Sequence, residues 1–205
     1  MSSKPFQFDL SGGNLALDFA NTVSRRHSPE RCREHLESYA DLLSFSEQSK
    51  MIASKELNVL RTYVAKHDRE ARRSFRRAIV LREALYRAFA AIAQQGAARS
   101  GDLKLIGDYA RAALRHRTLI RANGSYRWQW QSSGNPSLDR ILWPIAQSAA
   151  DLLTSNELKI VRFCEAPDCE WLFLDRSRNR SRRWCDMASC GNREKARRHY
   201  RRRHD

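Results

Sequence analysis

Through the first 150 or so positions, apolar residues recur at the three- and four-residue spacing of amphipathic helices. After an extended segment at 5–10 and the pair Gly12-Gly13, Leu15, Phe19 and Val23 stand four apart, with Ala16 and Ala20 alongside. That pattern predicts one buried helix face. A second helix is predicted over 37–49, with Tyr39, Leu42, Leu43 and Phe45 inward, and a third behind Ser54 as its N-cap, with Leu57, Leu60 and Val64 on one side. The longest runs over 69–95 on a stripe of Phe75, Ile79, Leu85, Phe89 and Ile92, and Gly96 supplies its C-cap. Its dense arginines at 69–87 read as a solvated face. Ser100 and Asp102 open a fifth helix, with Leu103, Ile106, Ala110 and Leu114 inward.

Near 118 the period drops to two. Thr118-Leu119-Ile120 and Tyr126-Arg127-Trp128-Gln129-Trp130 flank Asn123-Gly124, a strong short signal for a two-residue hairpin turn. Tyr126, Trp128 and Trp130 share one face, which is expected to pack into the core. Asn135-Pro136 then reads as an N-cap with proline behind it, opening a helix to Leu153 that Pro144 kinks or breaks. Its inward residues are Leu138, Ile141, Leu142, Ile145 and Ala149. The fold class is mainly α with a small β-hairpin (α+β): a helical domain over 1–156 and a small cysteine-bearing domain over 157–205.

Charge separates these two parts. The net +15 is uneven: residues 176–205 carry 12 Lys+Arg against 3 Asp+Glu, while the remaining 175 residues carry 26 against 20. A basic segment on a near-balanced body points to a polyanionic partner. No run approaches the roughly 20 apolar residues that span a bilayer, and no apolar run follows the N-terminal lysine as a secretory leader would require. A soluble, cytoplasmic chain is expected, nucleoid-associated if it binds DNA.

Four of the five cysteines fall within 27 residues as Cys164-x4-Cys169-x15-Cys185-x4-Cys190, and Cys32, near a predicted helix start, stands alone. Two close pairs with about 15 residues between them are the layout of a closed tetrahedral zinc site. Four thiolates leave no open position, so the Zn2+ they imply is structural. His199 and His204 are the alternative ligands, and a disulfide the alternative chemistry. Beyond Cys190, residues 191–203 predict a basic helix roughly 20 Å long, bearing Asn192, Arg193, Lys195, Arg197, Arg198, Arg201 and Arg202. A second cluster, Arg176, Arg178, Arg180, Arg182 and Arg183, lies in the loop between the cysteine pairs. Arginine interleaved with serine and asparagine suits phosphate contacts, and Arg193 and Arg197 are the expected readers of base edges.

The run Cys190-Gly191-Asn192-Arg193, with Asp175, Ser177, Asn179 and Arg182 upstream, resembles the CGNR-type zinc fingers. The opening Gly12-Gly13-Asn14-Leu15-Ala16-Leu17-Asp18-Phe19-Ala20-Asn21-Thr22 looks like the start of the ABATE domain that precedes that finger in the family. The resemblance implies a bacterial transcription regulator with the four cysteines as zinc ligands, a DNA-binding finger, and a front domain that senses or dimerises. DNA is the expected partner, with RNA or the ribosome as the alternative. Asp18 and Asn21, on one helix face, and Trp128 are the candidate pocket for a small-molecule effector; the competing role for the first two is to bond loop backbone. No nucleophile elbow, phosphate-cradling glycine loop or paired-histidine metal site is present, so no enzymatic activity is expected.

Overall fold

Residues 6–131 and 136–204 are described in a computed structural model, Arg202 and His204 by backbone alone. The first helix, α1 (Leu15–Ala20), starts where the Asn14 side chain accepts the Ala16 N–H and stops at Asn21, so Val23 enters a short strand, β1 (Val23–Ser24), instead of extending the helix. β1 pairs antiparallel with β2 (Arg33–Glu34). Cys32 is exposed in the loop just before β2, not at a helix start. Next comes α2 (Tyr39–Gln48), entered through a Ser38–Asp41 capping box, with Tyr39, Leu42, Leu43 and Phe45 buried as predicted.

The helix α3 (Ser54–Val64) buries Leu57 and Leu60, but Ser54 is its first helical residue and Ala53 stands at the cap without a side-chain bond. Along α4 (Asp68–Ala93) the fully buried stripe is Ala71, Ser74, Ala78, Leu81, Ala84, Leu85, Ala88 and Phe89, while Phe75, Ile79 and Ile92 flank it half-buried. Small residues let neighbours approach this central helix closely, which a count of large apolar positions underweights. The wet-face reading of its arginines fails at Arg82, which is 3% exposed and forms a two-pronged pair with Glu34 at 2.6 and 2.7 Å. At its C-terminus Gln95 takes the left-handed conformation (φ 62°) and the Gly96 N–H closes on the Ala91 carbonyl at 2.9 Å.

The inward face of α5 (Ser100–Leu114) is Asp102, Ile106, Ala110 and Ala113; Leu103 and Leu114, predicted inward, are 42% and 53% exposed. Burial of Asp102, paired with Arg87, turns the helix by about one position. The hairpin follows as β3 (Arg117–Ala122) and β4 (Ser125–Trp130), with Asn123 and Gly124 both at positive φ in the expected two-residue turn. The predicted packing of its aromatic face is overturned: Tyr126 is 71% and Trp128 56% exposed. The predicted N-cap Asn135 lies outside the described residues, and Pro136 behind it is not helical. A 3-10 turn over Leu138–Ile141 leads into α6 (Leu142–Leu153), with Pro144 in its first turn, where a missing N–H costs nothing. No helix among the described residues is long and apolar enough to cross a membrane.

The apolar core does not end with α6. The antiparallel strands β5 (Val161–Phe163) and β6 (Leu172–Leu174) pair at the start of the cysteine-bearing region. Ile160, Val161, Leu172 and Leu174 join the core built by α1, α2, α4 and α6, while Phe173 packs with the cysteines on the other side. Alternation along one three-residue strand thus gives β6 a face in each cluster. Its open edge is closed by the chain's N-terminal region. The Asn21 side chain donates to the Leu172 carbonyl at 2.8 Å and accepts its N–H at 2.9 Å, and the Leu174 N–H donates to the Gly12 carbonyl at 2.9 Å.

Asn21→Ala strands both buried polar groups of Leu172. At about 1–3 kcal/mol for each unsatisfied group, thermal or urea unfolding should show a loss of roughly 2–6 kcal/mol. A loss below about 0.5 kcal/mol would mean that water or a neighbouring strand replaces the amide.

Candidate metal centre and nucleic-acid interface

Around the cysteines, local structure is set by a few polar residues. Asp175 is 1% exposed at the end of β6. Its carboxylate accepts from the Ser177 N–H (3.0 Å), the Ser177 hydroxyl (2.5 Å) and the Arg182 N–H (3.0 Å), folding the arginine loop 176–183 back on itself. Burial opposes ionisation, yet these bonds hold the Asp175 carboxyl below the usual carboxylate range. Arg182 is spent internally: its guanidinium lies over the Phe173 ring and donates to the carbonyls of Trp184 (2.8 Å) and Cys185.

The four sulfurs of Cys164, Cys169, Cys185 and Cys190 are buried and lie within 4.8 Å of one another. Neighbouring pairs, Cys169–Cys185 and Cys185–Cys190, are 3.5 and 3.6 Å apart, too far for a disulfide. A tetrahedral ion with bonds of about 2.3 Å to thiolate separates its ligands by roughly 3.8 Å, so the sulfurs surround a space of the right size. The chemistry agrees. Hydrogen bonds from the thiols of Cys169, Cys185 and Cys190 hold Cys164 far below the ordinary thiol range. Each further thiolate in so small a space then needs a cation. Among the described residues no histidine joins this group. The cluster is suited to one metal ion with a closed coordination shell.

Gly191, Asn192 and Arg193 each have a visible task there. A one-turn π-type segment, Met187–Gly191, capped by Asp186, runs directly into α7 (Asn192–His204). A Cβ on Gly191 would lie 2.7 Å from Met187 Sδ and 3.1 Å from Trp184 Cδ1, so a side chain would displace the packing over the sulfurs. Asn192 donates to the Ala188 carbonyl at 3.1 Å and holds the turn. Arg193 donates to Cys190 Sγ at 3.0 Å, a charge-assisted bond that stabilises a thiolate ligand. Arg25, Arg193 and Arg197 converge on Asp168 at 3.5, 3.6 and 3.0 Å. Arg197 also pairs with Glu194 at 2.6 Å.

The predicted basic residues therefore divide. Arg182, Arg193 and Arg197 are tied into the cluster, and the two expected to read base edges are among them. Arg176 pairs with Glu157 and Arg183 with Glu165 at the surface. Arg178, Arg180, Lys195, Arg198 and Arg201 are exposed, with no ion pair among the described residues; the Arg202 side chain lies outside them. Sequence reading missed Asp168, Glu194 and Glu157, the acids that decide which arginines stay available. Their signal was only a carboxylate beside or between cysteines and arginines.

Asp18 and Asn21 do line a cavity, of about 230 Å3, with Phe8, His35 and Trp171. Trp128 is not in it; the tryptophan at that site is Trp171, whose indole N–H donates to the Val23 carbonyl at 3.1 Å. Both polar ends of the Asn21 amide serve Leu172, and Asp18 Oδ1 accepts the Gly12 N–H at 2.7 Å. A Cβ on Gly12 would lie 2.8 Å from that oxygen, and Gly13 holds φ +75°, so the glycine pair is a requirement of this turn. Burial, with Asp9 adding to it against the Gly12 hydrogen bond, raises the Asp18 carboxyl to about 7. These residues serve the loop-fixing role.

Residues 13–156 match the family model ABATE, described as "Putative stress-induced transcription regulator", and residues 161–203 match the model of the CGNR zinc finger. No curated protein matches the chain.

Two measurements probe this site. Arg193→Ala removes a bond to a ligand sulfur and should weaken metal retention roughly 10- to 100-fold in competition with a chromophoric chelator; retention equal to wild type would detach Arg193 from the metal's environment. The Asp18 shift has a definite sign. Between about pH 4 and pH 7 the folded state holds a proton that the unfolded state has lost, so Asp18 lowers stability progressively as pH rises through that window. Asp18→Asn should therefore gain melting temperature relative to wild type from pH 4 to 7 and hold the gain above it. A constant difference across the window would contradict the shift.

Proposed function

We propose that this chain, which belongs to the ABATE family and carries a CGNR zinc finger, is a zinc-dependent transcription regulator that binds duplex DNA through its C-terminal finger. One observation carries the reading. A closed four-thiolate cluster supports a surface on which Arg178, Arg180, Lys195, Arg198 and Arg201 have no acidic partner among the described residues. Zinc is the ion of choice, because four thiolates in a tetrahedral space select a soft d10 cation with no preferred geometry of its own. Its role is structural, and the protein is read as a regulator and not as an enzyme.

In this reading the loop 176–183 and the outer side of α7 track phosphates, while Arg182, Arg193 and Arg197 hold the scaffold that presents them. Base readout then falls to the exposed positions of α7 and not to its first turn. A single finger spans few base pairs, so the proposal includes a homodimer that doubles the contact. The cavity beside Asp18 is smaller than the roughly 300 Å3 at which ligand pockets begin. An effector therefore has no assigned place in it.

Fluorescence anisotropy with a labelled random-sequence duplex tests the reading across a potassium chloride series. Affinity should fall steeply with salt, and the log–log slope should shrink by about 0.9 for each phosphate contact removed. Combining Arg178→Ala, Arg180→Ala, Arg198→Ala and Arg201→Ala should lower that slope by three to four (~0.9 for each of four contacts), and chelation of the metal should abolish binding. Binding that ignores salt, or none at 50 mM, would sink the proposal.

A further inference from the structure

Among the described residues, the β3–β4 hairpin leaves one aromatic face uncovered. Register places Leu119 opposite Trp128, Arg121 opposite Tyr126 and Arg117 opposite Trp130, so these six side chains share one face. On that face Leu119, Tyr126 and Trp128 are 55%, 71% and 56% exposed. A lone two-stranded ribbon is marginal in water, and three large exposed side chains on one are a contiguous apolar patch of the kind that marks a binding surface.

The rings also form a graded stack. Trp143, 7% exposed, stacks on His116 at 3.9 Å and meets Trp130 at 6.0 Å. The Arg117 guanidinium then lies over both Trp130 and Trp128, at 5.2 and 5.1 Å. The ladder is anchored at buried Trp143 and runs outward to Trp128, with Tyr126 exposed beside it on the same face. The sequence around it has one sign. From residue 109 to 138 the chain holds five arginines and no Asp or Glu, and Arg121 and Arg127 have no ion pair among the described residues.

We infer that this hairpin is a stacking platform for unpaired bases of a nucleic acid, on which Tyr126 and Trp128 each carry a base and Arg121, on the same face, meets the backbone phosphates, while Arg127 on the opposite face adds to the positive field. The inference rests on the nucleic-acid-binding reading and adds a second contact, made by the ABATE domain. Charge decides against a second copy of this chain, since hairpin-to-hairpin packing sets Arg117 and Arg121 against their own counterparts. Spacing decides between paired and unpaired bases. Ring positions two residues apart on a strand are about 7 Å apart, twice the roughly 3.4 Å rise between stacked bases of a duplex. Bases resting on both rings must be splayed, as in a single strand.

The test uses the full-length, metal-loaded protein with labelled 15-residue oligo(dT), oligo(rU) and a duplex of equal length. Base–aromatic stacking lost at two rings corresponds to roughly thirtyfold or more in affinity. Tyr126→Ala/Trp128→Ala should lose that much for the single strand and less than about threefold for the duplex, and Tyr126→Phe/Trp128→Phe should recover most of the single-strand binding. Tighter binding of oligo(rU) names RNA as the source of the bases, and of oligo(dT), melted DNA. Wild-type binding to duplex but to neither single strand overturns the platform and leaves the finger standing; binding to no nucleic acid overturns both. Equal losses on single strand and duplex reduce the rings to fold support. A shift from dimer to monomer in sedimentation with the alanine pair makes the face a self-interface and ends the proposal.

Discussion

The open edge of β6 is the constraint on which the arrangement of this molecule turns. A strand of three residues, Leu172–Leu174, has one side paired with β5 and the other side bare, and its N–H and C=O groups are buried there. An unpaired edge inside a core costs about as much as the hydrogen bonds it lacks. The chain meets that cost with material some 150 residues away in sequence. The Asn21 amide presents the donor and acceptor of a peptide group to Leu172, and the Gly12 carbonyl takes the Leu174 N–H. Together they stand in for a third strand. The glycine turn, the Asp18 bond that closes it and the abrupt end of α1 at Asn21 all follow from delivering those atoms to that edge.

Electrostatics around the cysteines obeys a similar economy. A surface with this excess of arginine would repel itself and any bound cation, yet the guanidiniums nearest the metal site are neutralised in place. Arg25, Arg193 and Arg197 share Asp168, and Arg193 also points an N–H at Cys190 Sγ. A thiolate-rich site carries net negative charge even with a divalent ion in it, so cations at its rim are stabilising. The result is a basic segment in two parts, arginines tied to the cysteine cluster or to nearby acids and exposed ones with no ion pair among the described residues.

The helices, the two-residue turn at Asn123-Gly124 and the four-sulfur cluster were legible because each depends on spacing within a short window. Tyr39, Leu42, Leu43 and Phe45 face inward as their period demands, and the two cysteine pairs converge. What was not legible depends on partners far off in the chain. Leu103 is exposed because Asp102 turns inward to meet Arg87, and Arg82 is buried because Glu34 reaches it from β2. Alternation put Tyr126 and Trp128 on one face correctly. It carries no information on whether any element lies opposite that face, and among the described residues Tyr126 and Trp128 stay exposed. Arg193 and Arg197 were placed on the right helix, but the acid that holds them, Asp168, comes from the first cysteine turn.

This dependence on distant partners has a thermodynamic consequence for the two family regions. Phe173 packs against the sulfurs, while Leu172 and Leu174, one residue to either side, pack in the helical core. Metal loss that lets β6 shift would therefore uncover apolar surface in both clusters and break the bonds to Asn21 and Gly12 together. A ligand that binds only the ordered state stabilises whatever is ordered with it, so the ion's binding energy reaches α1 and α4 through one strand. The converse also holds. Anything that loosens the glycine turn or the Asn21 amide lowers the apparent affinity of cysteines some 150 residues further along. The motif at the start of the chain and the motif at its end are in this sense one site, joined at Leu172.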